Sequence, residues 1–64
     1  MNKLEYDLFK AIQDGNLAGV KQAIESGASS SSRDEQGYSP FRRAAQLHNK
    51  QICDLLISMG AEVD

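Results

Sequence analysis

The feature that most constrains the fold of this 64-residue chain is an internal repeat with a spacing of 33 residues. When the sequence is shifted by that spacing, six of the 31 aligned pairs are identical, where ordinary composition would give roughly two. The identical pairs fall in one gapless register: Ala11/Ala44, Gln13/Gln46, Asn16/Asn49, Ile24/Ile57, Gly27/Gly60 and Ala28/Ala61. Such a period indicates repeat units that bury their apolar faces on each other. We place one unit at about 1–33 and the other at about 34–64, within a single domain of residues 1–64.

Each unit carries the signals for two short helices. In the second unit, the Ser39 hydroxyl can accept from free amides of a first helical turn, and Pro40 has no amide to leave unsatisfied. Asn49 can cap the next helix, which Gly60 ends. The first unit repeats this order with its own caps and glycines at Asn2, Gly15, Asn16 and Gly27. The pattern predicts four helices.

The second unit resembles an ankyrin repeat. The family's marker Thr-Pro-Leu-His-x-Ala is matched here by Ser39-Pro40-Phe41-Arg42-Arg43-Ala44, and its closing Gly-Ala-Asp-Val-Asn by Gly60-Ala61-Glu62-Val63-Asp64. The resemblance implies an all-α fold of two stacked ankyrin-type helix-turn-helix repeats, joined by a β-hairpin-like finger. The first unit has Tyr6-Asp7 where the second has Ser39-Pro40. In this respect it resembles an amino-terminal capping repeat.

The segment between the units has two interpretations. Its four serines, at positions 29–32, have the composition of a flexible linker. In the ankyrin register, however, the segment occupies the finger, and Arg33, Asp34 and Gly37 match the family there. We favour the finger on spacing. Ser30 replaces an anchor that is usually apolar, so we expect this finger to be looser than most.

Composition restricts the class of partner. Seven Lys and Arg stand against nine Asp and Glu without blocks of either sign, so neither a nucleic-acid nor a membrane-surface footprint is present. The single cysteine, Cys53, cannot form an internal disulfide, and the charged N-terminus has no signal-peptide core. The longest aliphatic run, Leu55–Ile57, is far too short to span a membrane. We expect a cytoplasmic chain whose partner is another protein, with no nucleic acid and no membrane.

His48 and Cys53 are the candidates for nucleophilic chemistry. They lie five residues apart, a spacing that does not place two side chains together on one helix. His48 also stands where Gly15 stands one period earlier, which favours a loop or capping role, and Cys53 aligns with the apolar Val20. The sequence contains no phosphate loop and no metal-ligand spacing. We predict no enzymatic activity, no cofactor and no metal.

The ankyrin resemblance implies a protein-interaction module, an adaptor or scaffold that holds its partner with the finger and the concave face. By position, the binding residues are Arg33, Glu35, Gln36, Tyr38, Gln46 and Leu47, together with the Arg42 and Arg43 pair. Tyr38 is the strongest single candidate, because an exposed aromatic ring gives a large contact area at little entropic cost. Two alternatives stay open: an inhibitor or immunity-type protein that blocks one partner, and an N-terminal fragment of a longer ankyrin array.

Arg42 and Arg43 replace the His-Leu of the family marker, and two interpretations are open. Their stems can pack while their guanidinium groups reach acids of the first unit, such as Asp7 or Asp14. Alternatively, they form a cationic patch for an acidic partner.

The last helix is more apolar than its counterpart in the first unit. The expected self-association surface consists of Ile52, Leu55, Leu56 and Met59. Because the first unit offers only smaller side chains against this set, we expect part of it to stay exposed. Its cover would be a second copy, giving a homodimer, or the binding partner itself.

Overall fold

The structure, a computed structural model, describes residues 2–61. Its helices are α1 Lys3–Asp14, α2 Leu17–Glu25, α3 Pro40–Gln46 and α4 Lys50–Ser58. The described residues contain no strand, so the all-α class is confirmed and the hairpin-like finger is not. Turns connect α2 to α3 instead. The closing residues Glu62–Asp64 of the second unit's motif lie outside the described residues.

Each helix begins at its predicted cap. The Asn2 side-chain oxygen accepts from the backbone amide of Glu5 at 2.9 Å, and the side chains of Asn16, Ser39 and Asn49 each accept from the amide three residues further on at 3.0–3.2 Å. These bonds satisfy amides that have no partner inside the helix. The polar residues of the sequence therefore set where the helices start.

The 33-residue period is also present in the backbone. The bounds of α4 are those of α2 moved along the chain by 33 residues. The hydrogen bond from the Asn16 amide to the Ala11 carbonyl, at 2.9 Å, recurs from Asn49 to Ala44 at 3.1 Å. The two helix pairs therefore share one turn geometry.

That turn needs a residue in the left-handed region at its centre. Gly15 takes it in the first unit with φ 70°, and His48 takes it in the second with φ 57°. Their amides donate to Ile12 and Ala45 carbonyls at the same distance, 3.1 Å. Glycine adopts this conformation at no steric cost, whereas a residue with a Cβ is strained there. His48 lies in the turn after Leu47, the C-cap of α3, in agreement with the predicted loop or capping role.

The first helix of each unit differs in length. In α3, Ser39 and Pro40 fix the start, and the helix has seven residues. In α1, which has twelve, helical structure continues through the equivalent positions, Tyr6 and Asp7, back to Lys3. Tyr6 therefore lies on an additional helical turn that the second unit lacks.

The core lies between the two helix pairs, with α1 against α3 and α2 against α4. Its buried apolar members are Leu8, Ala11, Ile12, Val20, Ala23, Ala28, Ala44, Ile52 and Leu56. Here the structure corrects the predicted self-association surface, because Ile52 and Leu56 have no exposed area. They are four residues apart, so both lie on the helix face that packs into the core. Leu55 and Met59 are half-buried.

Candidate functional site

The segment that joins α2 to α3 is organised by the carboxylate of Asp34. Its Oδ1 accepts from the backbone amides of Gln36 and Tyr38, both at 2.9 Å. The Asp34 amide in turn donates to the Tyr38 carbonyl at 3.0 Å, and the Gly37 amide donates to the Asp34 carbonyl at 3.0 Å. An aspartate that bonds to amides further along the chain stabilises a tight turn. The turn holds Glu35 and Gln36 at its tip.

Arg43 approaches the same aspartate from α3. Its Nε lies 4.0 Å from Asp34 Oδ2, and the Asp34 side chain is only 11% exposed. The Arg43 Nη1 also donates to the Gln46 Oε1 at 3.4 Å. One interpretation of the sequence paired the two arginines with acids of the first unit. For Arg43 that interpretation is wrong. Its carboxylate comes from the connecting segment, while Asp14 lies 3.7 Å from Lys10.

Tyr38 is half-buried, which corrects the prediction that its ring is an exposed contact. The guanidinium carbons of Arg42 and Arg43 lie 5.7 and 5.8 Å from the centre of the ring. These distances fall within the range of cation–π attraction. The two arginines therefore pack on the tyrosine and help to fix the turn beside α3.

An open groove lies between α1, the tip of this turn and α3, and we call it the inner groove. Its volume is about 310 Å³. It is lined by Tyr6, Phe9, Lys10, Gln13, Asp14, Asp34, Glu35, Gln36 and Arg43. Phe9 is buried, whereas Tyr6 is 58% exposed. The inner groove thus combines an accessible aromatic ring with carboxylates, amides and two cations.

The structure brings only some of the predicted binding residues together. Glu35, Gln36 and Arg43 line the inner groove. The remaining predicted residues do not line it; they are Arg33, Tyr38, Arg42, Gln46 and Leu47. Arg33 instead donates to the Gly37 carbonyl at 3.3 Å, within the turn. The predicted set is therefore divided between the groove and its surroundings.

Sequence reasoning missed the α1 side of the groove. Tyr6, Phe9 and Asp14 were absent from the predicted binding set, although α1 supplies more of the lining than α3 does. The register contained a usable signal, since Lys10 is the equivalent of Arg43 and Gln13 that of Gln46. Applying the second unit's predicted positions to the first would have identified Phe9, Lys10, Gln13 and Asp14, but not Tyr6, whose equivalent is Ser39.

Cys53 and His48 lie outside the inner groove. Both line a separate shallow groove of about 320 Å³ between α3 and α4. Partial burial raises the pKa of the Cys53 thiol, and the negative charge of Asp54 raises it further. A raised pKa disfavours the nucleophilic thiolate. Over residues 2–61, no group of His, Cys, Asp and Glu side chains could hold a metal ion.

None of the helices in the described part of the chain is long and apolar enough to cross a membrane.

Known proteins match most of this chain, although the matched regions are only 56 or 57 residues long. Over 57 residues, it is 39% identical to protein phosphatase 1 regulatory subunit 27 of Homo sapiens, a match that covers 89% of this chain and 37% of that protein. Over 56 residues, it is 38% identical to the 2-5A-dependent ribonuclease of Mus musculus, covering 86% of this chain and 8% of that enzyme. The chain therefore spans little more than a third of the first relative and under a tenth of the second. No protein-family model matches the chain.

Proposed function

We propose that this chain is a non-catalytic protein-interaction module of the ankyrin type, which binds a partner protein in the inner groove. The observation that carries the proposal is the exposed Tyr6 ring beside Glu35 and Gln36 at the tip of the turn. Aromatic side chains are enriched among the residues that dominate binding energy, because they bury a large area with few rotatable bonds. Polar groups around the ring would fix the partner's orientation.

The scaffold beneath the groove supports this role. The tip residues are presented by a turn in which Asp34 bonds to two backbone amides, and α1 is capped at both ends by Asn2 and Gly15. Binding groups on a preorganised backbone lose less conformational freedom when a partner docks. The groove is therefore built to contact a surface of defined shape.

The charges of the chain and of the inner groove favour a protein partner over a nucleic acid. The chain has a formal net charge of −2, and three carboxylates line the inner groove, from Asp14, Asp34 and Glu35. A phosphate backbone would meet repulsion there, since nucleic-acid affinity depends on clustered cations. Similarity to a protein named as a regulatory subunit points to the same class of partner.

We place this interaction in the cytoplasm. The proposal is supported by the lone Cys53, which has no second cysteine in the chain to pair with. Unpaired thiols are typical of reducing compartments. A fluorescent fusion in the host cell tests the assignment, and signal confined to an extracytoplasmic compartment would contradict it.

Site-specific photocrosslinking tests the binding role. Benzoylphenylalanine replaces Gln13, which lines the inner groove, or Gln51, an exposed residue of α4 outside it. In cells of the host organism, we expect the Gln13 position to give one discrete protein adduct that the Gln51 position does not give. Adding Tyr6→Ala should abolish that adduct. Identical adducts from both positions, or none from Gln13, would contradict the proposal.

A further inference from the structure

The charges that line the inner groove are matched in pairs except at the tip of the turn. Lys10 lies 3.7 Å from the Asp14 carboxylate. The Arg43 Nε lies 4.0 Å from the Asp34 carboxylate. The third carboxylate of the lining, Glu35, is exposed, and no cation in the described part of the chain lies within 4.0 Å of it. Three carboxylates against two cations thus leave the groove lining one negative charge.

Tyr6, which lines the same groove, also lacks a cation of the chain. It is 58% exposed. Among the described residues, the cation–π contacts are those of Arg42 and Arg43 with the Tyr38 ring. An aromatic face and a carboxylate both attract cations, the first through its quadrupole and the second through its charge. The groove therefore offers two cation-binding groups, Tyr6 and Glu35, that this part of the chain does not use.

A cluster beside the groove shows which cation suits such a combination. The Arg43 guanidinium carbon lies 5.8 Å from the centre of the Tyr38 ring, while its Nε approaches Asp34. One guanidinium group thus contacts a tyrosine and a carboxylate at the same time. It can do so because its planar face stacks on a ring while its N–H groups point outward along its edge. A lysine ammonium is a compact point charge that holds its water more strongly.

Other classes of side chain fit the inner groove less well. An apolar side chain placed over Tyr6 would exclude water from Glu35 and leave a carboxylate without a counterion, which is costly. A partner's carboxylate or phosphate would be repelled by Glu35, and both cations of the lining already face carboxylates of this chain. Only a cationic side chain uses both groups and leaves no charge unmatched.

We infer that the partner protein inserts an arginine side chain into the inner groove, with its guanidinium group on the Tyr6 ring and hydrogen-bonded to the Glu35 carboxylate. The inference rests on the proposed function, because it names the chemistry by which the same groove holds its partner. The arginine neutralises the one negative charge of the lining. A partner is then selected by an accessible arginine on its surface.

Nuclear magnetic resonance titration of the full chain with the peptide acetyl-Ala-Arg-Ala-amide tests the inference without the partner. The matched probe carries citrulline in place of arginine, which keeps the shape and removes the charge. We expect the arginine peptide to shift the Tyr6 ring signals saturably and to bind at least about threefold more tightly than the citrulline peptide. Equal affinity of the two peptides would overturn the inference. So would unchanged Tyr6 signals up to the solubility limit of the arginine peptide.

Variants of the chain separate the two contacts. Tyr6→Phe keeps an aromatic face and should retain the preference for arginine, whereas Tyr6→Leu keeps apolar area and should lose it, as read at the Glu35 amide signal. Glu35→Gln removes the charge at constant size and should lose the preference at the Tyr6 signals. The control Glu25→Gln, at an exposed position of α2 outside the groove, should keep it. A preference that survives either Tyr6→Leu or Glu35→Gln would contradict the assigned contacts.

The photocrosslinking experiment separates this inference from the proposed function. With benzoylphenylalanine at Gln13, Glu35→Arg reverses the charge at the tip and should abolish the protein adduct, while Glu25→Arg should leave it. An adduct that depends on Tyr6 but persists in Glu35→Arg would overturn the arginine contact and leave the binding role intact. If Gln13 gives no adduct, the binding role fails, and the peptide titration still decides whether the groove prefers a guanidinium group.

Discussion

The two helix pairs share a backbone plan and differ in where they place side-chain volume. The equivalent positions Gly19 and Ile52 lie at the same point of α2 and α4, yet one has no side chain and the other is a fully buried isoleucine. At another position the order is reversed, since Ile12 of the first unit is almost fully buried and its equivalent, Ala45, is exposed. Large side chains of both units are thus directed to the interface between them.

The comparison separates two kinds of information in the sequence. Caps and left-handed turn residues, such as Asn16 and Asn49, repeat in both units and set the helix pair. Side-chain volume at equivalent positions does not repeat, and it decides which face of each pair is covered. A shared backbone therefore does not imply a shared surface. The following predictions test this distinction, from the largest expected effect to the smallest.

Truncating a buried side chain of α4 should cost far more than truncating an exposed one. Leu56→Ala removes a fully buried leucine from the interface between the units, and we expect a loss of about 2–5 kcal/mol in the free energy of unfolding. The control is Ile57→Ala, on the next residue, which is 48% exposed. In urea denaturation at low concentration it should cost less than half as much. Equal losses would contradict the assignment of the two faces.

Removing the carboxylate that holds the turn should have the next largest effect. Asp34→Ala leaves the amides of Gln36 and Tyr38 without their acceptor, a loss we expect to cost about 1–3 kcal/mol. Asp14→Ala removes only an exposed ion pair with Lys10, so its effect should be under about 1 kcal/mol. The same unfolding titration measures both. If Asp34→Ala is as mild as Asp14→Ala, the turn does not depend on this residue.

The turn residues should respond in opposite directions. His48→Gly relieves a left-handed residue with a Cβ, and we expect it to stabilise the chain by up to about 1 kcal/mol. Gly15→Ala introduces the same strain into the first unit and should destabilise it by about 1 kcal/mol or more. Thermal melts of both variants check the pair. A destabilising His48→Gly would mean that the imidazole itself makes a stabilising contact.

The smallest effect concerns the reactivity of Cys53. Because burial and then Asp54 raise the pKa of this thiol in the folded chain, the unfolded chain loses its proton first as pH rises. Stability should therefore fall slightly as pH rises through the unfolded thiol's pKa. Alkylation by iodoacetamide should also be slower in the folded chain than in urea at the same pH. Equal rates at every pH would show that folding does not shift the thiol's titration.

Much of the fold could be predicted because its signals are local. The four caps act over a short range, since each cap side chain accepts from a backbone amide three residues further on. The 33-residue register relates the caps and the turn residues of the two units. The helix count and the ends of the helices followed from these residues. Tyr6 could not be placed in this way, because the additional turn of α1 depends on the absence of a Ser-Pro start in the first unit.

The site was harder to predict because it depends on which side chains meet in three dimensions. Tyr38 has the composition of an exposed contact, but Arg42 and Arg43 from the next helix pack on its ring. Ile52 and Leu56 likewise could not be distinguished from Ile57 by hydrophobicity, and only the packing of α4 on α2 separates them. Residue type predicted which side chains are capable of binding, whereas tertiary contacts decided which are available.

The central claim, that the inner groove binds a partner through Tyr6, is tested most directly by calorimetric titration of the partner that photocrosslinking identifies. The comparison is between the unmodified chain, Tyr6→Ala, and Leu17→Ala, which truncates a 39%-exposed side chain outside the groove. We predict that Tyr6→Ala weakens binding by about tenfold or more while Leu17→Ala changes it little. Equal affinity for the unmodified chain and Tyr6→Ala would contradict the claim.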